Sequence, residues 1–161
     1  MVSDHRPAIL PLIGWREWVG FPDWGMPYIK AKVDTGARTS SLHVMNLEWT
    51  DKDGERWVQF DISPWQRSHR DTVRASAQVI ATRDIKSSSG AIDHRPVILA
   101  AVRVAGCDIQ AELTLTNRDE MGFRMLLGRE AIRHRFLIDP GMSYRGGRPD
   151  RITLSKNRGK R

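Results

Sequence analysis

The feature that most limits what this chain can become is the run Ile29-Lys30-Ala31-Lys32-Val33-Asp34-Thr35-Gly36-Ala37. Ile29, Ala31 and Val33 alternate with Lys30 and Lys32, the period of a half-buried β-strand, and the strand runs without a spacer into an Asp-Thr-Gly turn. The Asp34 carboxylate can hold or polarise a water. The Thr35 hydroxyl can fasten the loop to a neighbouring backbone group, and Gly36 lets the chain turn tightly while another backbone comes close. Alone, the tripeptide is also an ordinary turn, because Asp and Gly are turn formers. Its surroundings give it weight. Leu42 returns an apolar residue after Arg38-Thr39-Ser40-Ser41, and far along the chain Phe123-Arg124-Met125-Leu126-Leu127 is a hydrophobic strand that ends at Gly128-Arg129 and opens a helix.

Together these segments resemble the two halves of a retropepsin monomer, a catalytic Asp-Thr-Gly-Ala loop and a late apolar-apolar-Gly-Arg segment. The closer similarity is to the bacterial family labelled ATP-dependent zinc proteases and described as retropepsin-like. The matching segments run in order through nearly the whole chain: Ile13 to Glu17, Lys30 to His43, Arg95 to Ile98, Glu112 to Asp119, Met125 to Glu130, Phe136 to Pro140, and Ser143-Tyr144. The resemblance implies a mainly β, closed antiparallel retropepsin-like barrel with one short C-terminal helix, and peptide-bond hydrolysis by an aspartic carboxylate. It also implies a functional link to an ATP-grasp glutamate ligase and action on the glutamate-rich tails that such ligases add.

Taken in order, residues 1–11 are a lead-in, 12–144 one barrel domain, and 145–161 a basic tail. Leu12–Val19 and Tyr28–Val33 alternate as strands around the breaker-rich Gly20 to Pro27. Leu42–Trp49 and Arg56–Ile62 flank Asp53-Gly54, a strong hairpin signal. Ser63–Thr72 is polar and reads as loop. Val73–Asp84 reads as one strand, and Arg95–Val104 pairs through Gly106 with Ile109–Thr116. Gly128–Arg135 is the helix, Asp139-Pro140-Gly141 is a stop signal for the segment after it, and Ile152–Leu154 is a candidate closing strand.

Aspartic proteolysis uses two carboxylates: one deprotonates a water while its partner hydrogen-bonds the scissile carbonyl. The chain has one Asp-Thr-Gly and no Asp-Ser-Gly. Asp71-Thr72 leads into Val73, and Asp139 into Pro140. A retropepsin-like mechanism therefore requires a homodimer in which the Asp34 of each copy meets across a two-fold axis, with Thr35 and Gly36 shaping the turn. The competing readings have Asp34 acting alone, or keep the turn as scaffold in a non-catalytic β-barrel module that binds peptide or ribosomal material.

Lys32 and Arg38 lie near Asp34 in sequence, while Lys86 and Arg95 lie on Asp84–Arg95, whose Ser87-Ser88-Ser89-Gly90 tip is the candidate substrate cover or else a plain polar loop. These four cations are the expected substrate-binding residues. They favour the ionised form of Asp34 and would draw in acidic or polyglutamylated protein. Arg38 is the first choice as a carboxylate clamp, because guanidinium binds carboxylate bidentately; a surface ion pair is its alternative.

Among His5, His43, His69, His94 and His134 no pair has metal-ligand spacing, and no phosphate-binding glycine loop occurs, so neither zinc nor ATP is expected as a cofactor. His43, which closely follows the Asp-Thr-Gly-Ala turn, is expected to be a half-buried structural histidine, with service to the site as its alternative. Of the formal charge of +7, seven basic residues against Asp150 fall between Arg145 and Arg161. The tail is thus a solvated end or a weak RNA or polyanion handle, and the body is close to neutral. One cysteine, no signal-peptide run and no membrane-length apolar run make the cytoplasm the expected home.

Overall fold

A computed structural model describes residues 9–66, 68–86, 89–117 and 122–156. The strands are β1 (Leu12–Phe21), β2 (Met26–Asp34), β3 (Ser40–His43), β4 (Met45–Lys52), β5 (Glu55–Ile62), β6 (Val73–Gln78), β7 (Ala81–Lys86), β8 (Ile92–Val104), β9 (Cys107–Thr116), β10 (Met125–Gly128) and β11 (Leu137–Ser143). The helices are α1 (Arg129–Ile132) and α2 (Arg151–Lys156). Six strands in the order β1-β2-β10-β3-β9-β8 close into a barrel through the pairing of Gly20 with Arg103. β11 is added to β1 at one flank, β7 to β8 at the other, and β4-β5-β6 form a separate sheet. No described helix is long and apolar enough to cross a membrane.

The inward positions of the alternating strands make the core. Ile13, Ile29, Leu42, Ile98, Val102, Leu113 and Leu127 are fully excluded from solvent, each contributing about 1.5–3 kcal/mol of transfer free energy. The second sheet joins the same cluster through Val58, Phe60 and Ile62. Trp24, on a single 3₁₀ turn at Pro22–Trp24, ties the two together, its ring 4.9 Å from that of Phe21 and 5.5 Å edge-on from that of Phe60.

The barrel is mainly antiparallel, with parallel ladders at β2–β10 and β3–β9, and the flanking β11 runs parallel to β1. One topological fact explains the first of these. The chain leaves β2, turns at Asp34 and returns as β3, but β10 is inserted between them. A strand lying between an outgoing and a returning neighbour must be parallel to one and antiparallel to the other, and β10 is parallel to β2 and antiparallel to β3. The Asp34 turn therefore cannot be a tight hairpin; it has to straddle the end of β10.

Four expectations about elements change. Val73–Asp84 is two strands in different sheets, because the chain switches partners at Val79, which donates to the Arg56 carbonyl, and Ile80, which donates to that of Val97. Asp139-Pro140-Gly141 does not stop the chain. It lies inside β11, a flanking strand where a missing N–H is tolerated and the register against β1 is irregular. The helix after Gly128 is a single turn ending before His134, whose φ is 66°. Ile152–Leu154 is helical rather than extended: the Asp150 side chain accepts the Thr153 N–H at 2.7 Å, a cap that the basic composition of the tail obscures.

Glu17 carries no hint of its importance in the sequence. Its carboxylate is wholly buried and accepts three backbone N–H groups: Gly14 at 2.7 Å, Arg145 at 2.8 Å and Gly146 at 2.8 Å. The start of the expected tail is thereby pinned to β1. Glu17→Gln presents an amide N–H₂ to at least one of these donors and should cost about 2 kcal/mol in urea unfolding. A loss within measurement error would mean that Glu17 does not anchor the segment.

Candidate active site

The straddling turn is held on both arms by the Gly128-Arg129 segment. On the incoming side Gly128 is in register with Asp34, and the Arg129 guanidinium donates to the Thr35 carbonyl at 3.1 Å. On the outgoing side the Arg129 N–H donates to the Ala37 carbonyl (2.7 Å) and the Glu130 N–H to that of Arg38 (3.0 Å). The Gly128 N–H donates to Ser40 Oγ at 3.0 Å, and Thr114 Oγ1 donates to the Ser40 carbonyl at 3.3 Å. Two segments distant in sequence, Gly128–Glu130 and Thr114, thus fix one loop and its outgoing arm.

Within it, Asp34 Oδ1 accepts the N–H groups of Gly36 (3.0 Å) and Ala37 (3.3 Å), which orients the half-buried carboxylate. Gly36 fits because a Cβ there would sit 3.2 Å from that same oxygen. Gly128 matters more. Its φ of −85° and ψ of 170° are open to any residue, yet a Cβ would lie 2.5 Å from the carbonyl carbon and oxygen of Thr39. The glycine is there for space, where the loop crosses the strand end.

By strand alternation and register, Arg16, Trp18, Lys30, Lys32 and Asp34 share one face of β1 and β2, with Leu126 and Gly128 beside them on β10. Lys30 Nζ lies 5.3 Å from the Phe123 ring centre and 5.9 Å from that of Trp18. Lys32 is thus brought to the face of Asp34. Arg38 is exposed and lines a cleft of about 300 Å³ with Arg83, Leu99, Glu112 and Glu130. Lys86 is exposed on β7, in register with Ile92 across a β7–β8 hairpin. The expected tip of that hairpin lies partly outside the described residues, at 87 and 88.

Arg95 is buried, and its Nε donates to Asp93 Oδ2 at 2.8 Å, an ion pair within its own strand.

Ser40 and Thr114 carry no local signal of a site role in the sequence, whereas Arg129 lies in the Gly-Arg segment that the resemblance already marks. Thr39-Ser40-Ser41 reads as a solvated polar stretch, and nothing local tells a loop-bracing serine from a surface one. His43 packs its ring nitrogens 3.3 and 3.4 Å from the cationic Arg124 Nη1, and among the described residues no three His, Cys, Asp or Glu side chains gather as a ligand set.

The family described as retropepsin-like aspartic endopeptidase RimB matches residues 12–149. The chain belongs to this RimB-like family. RimB-like membership agrees with the closed six-stranded barrel and the Asp-Thr-Gly turn laid across β10. Among relatives, a probable alpha-L-glutamate ligase from Shewanella halifaxensis is 46% identical over 90% of this chain, which spans 32% of that protein. One from Parasynechococcus marenigrum is 42% identical over 84% of this chain and 29% of its own length. The chain therefore spans about a third of these relatives. The crystal structure of a Legionella pneumophila protein of unknown function superposes with a TM-score of 0.69 at 25% identity, over 84% of this chain and 98% of that one.

Proposed function

We propose that this chain is an aspartic endopeptidase that hydrolyses peptide bonds in acidic, glutamate-rich protein segments, with Asp34 supplied by each of two copies. The observation that carries the reading is the Asp34 turn, whose carboxylate is oriented by two backbone N–H groups and whose arms are fastened to Gly128-Arg129. One Asp34 carboxylate takes a proton from water as the oxygen attacks the scissile carbonyl carbon. The protonated partner donates to the carbonyl oxygen. Collapse of the tetrahedral intermediate breaks the C–N bond as a proton passes to the leaving amine.

A second copy supplies the second carboxylate that one chain lacks. Exposed Leu137 and Met142 on the flanking strand β11, beside Leu12 on β1, offer an apolar edge on which copies can meet. The glutamate ligase names of the relatives, together with Lys32 beside Asp34, favour an acidic substrate and a working link to such a ligase. A cytoplasmic enzyme suits that link.

The test uses a peptide ending in several glutamates and a matched peptide ending in glutamines, with products identified by mass spectrometry. We expect cleavage of the first, unaffected by chelators, with specific activity rising with protein concentration as dimers form. Binding without cleavage at any concentration would replace the enzyme with a peptide-binding module. Full specific activity in a preparation shown to be monomeric by sedimentation would remove the shared pair.

A further inference from the structure

We propose that Arg16, Tyr144 and Arg148 form a carboxylate-binding site that receives acidic side chains of a peptide lying along the β1–β2 face toward Asp34. The proposal rests on the Asp34 reading for the direction of the peptide, but not for the binding itself.

The Arg16 guanidinium carbon lies 4.6 Å from the Trp15 ring centre and 4.9 Å from that of Tyr144, and its Nε donates to Ser143 Oγ at 3.1 Å. The Arg148 guanidinium lies 4.7 Å from the same Tyr144 ring. Among the described residues neither guanidinium has a carboxylate within ion-pair distance, whereas Arg83, Arg95 and Arg103 are paired with Glu112, Asp93 and Asp108. Two cations thus converge on one ring with donors left to offer.

The ring is held there against a backbone cost. Tyr144 has a φ of 56°, a left-handed conformation that a bulky side chain rarely adopts. Its N–H donates to the Arg16 carbonyl at 2.9 Å, and the next two N–H groups are taken by buried Glu17, so strain is balanced by three hydrogen bonds around one residue. Burial raises the Tyr144 phenol above its ordinary value, against the opposing pull of Arg16 and Arg148, so the ring stays neutral and the cluster stays cationic at neutral pH.

Position and chemistry select the ligand. Arg16 is the register partner of Lys32, which precedes Asp34 by one strand repeat on the same face. A chain running along this face from Asp34 meets Lys32 and then Arg16. A nucleic acid would need bare ring faces for its bases. Here Tyr144 is already occupied by two guanidiniums and the Trp18 ring, and Trp15 by Arg16 and the edge of Phe123. The groups still on offer are guanidinium N–H donors, which suit carboxylate bidentately.

The experiment measures calorimetric binding of a synthetic peptide ending in four glutamates to the full chain carrying Asp34→Asn, which prevents turnover. We expect Arg16→Gln and Arg148→Gln each to weaken binding about tenfold. Arg16→Lys should recover only part of the loss, because it keeps charge without the planar fork. Arg56→Gln, which removes a cation seated on the Trp49 ring of the other sheet, should leave binding unchanged. Arg148 is exposed, so its variant tests the site even should Arg16→Gln fail to fold. Undiminished affinity in Arg148→Gln together with any folded Arg16 variant overturns the proposal. So does a single-stranded oligonucleotide that binds more tightly than the peptide and loses that binding in the same variants. Arginine-dependent binding in the Asp34→Asn background, with a wild-type chain that cleaves nothing, sustains the site and removes the protease. Cleavage with arginine-independent binding does the reverse.

Discussion

Replacing Asp34 with Asn should reduce cleavage of a glutamate-tailed peptide by about a thousandfold or more while leaving the fold and the assembly intact. The geometry separates those two effects. Asn keeps an oxygen at the position that accepts the Gly36 and Ala37 N–H groups at 3.0 and 3.3 Å, so the turn retains its internal bonds. The ability to take a proton from water is lost. Mixing experiments make the result specific to a shared pair. When Asp34→Asn protein is exchanged into wild-type dimers, activity should fall as the square of the wild-type fraction, because one mutant carboxamide disables both halves of a dyad. A linear fall would show that each Asp34 works alone, and the two-fold arrangement would have to be given up.

Gly128→Ala should be the most damaging single-methyl change near the site, costing on the order of 3–4 kcal/mol in denaturant unfolding and lowering cleavage with it. The added Cβ would meet the Thr39 carbonyl carbon and oxygen at 2.5 Å and its nitrogen at 2.9 Å. These are backbone atoms, so relief requires the loop itself to rise from β10. That movement would stretch the bonds from Arg129 N–H to Ala37, from Glu130 N–H to Arg38, and from Gly128 N–H to Ser40 Oγ. Gly54→Ala is the contrast. It sits at a φ of 80° in the β4–β5 turn with open space around it, so its cost is limited to backbone strain remote from Asp34. Equal stability losses in the two variants would show that the loop is not clamped against the strand end.

Local pattern makes most of the strands legible. Alternation in Ile29–Val33 and Ile109–Thr116 survives as β2 and β9, and Asp53-Gly54 makes its hairpin turn with φ values of 53° and 80°, because period and turn chemistry act over a few residues. The Asp-Thr-Gly loop is legible for the same reason, as are the Gly128-Arg129 segment and the family to which both belong. The Arg95–Asp93 pair is not legible in the sequence, because composition cannot distinguish partners two residues apart on one strand face from a cation awaiting substrate.

The residues thus carry in one dimension the strand periods, the turn chemistry and the single Asp-Thr-Gly. The insertion of β10 between β2 and β3 depends on pairing across ninety-odd residues of intervening chain, whose loop-closure cost no short window records. That insertion creates the need for glycine at 128, the bracing by Ser40, and the bonds from Arg129 to both arms of the turn. The burial of Glu17 and the left-handed Tyr144 it helps hold between two arginines likewise belong to contacts between chain ends, set by packing rather than by neighbours in sequence.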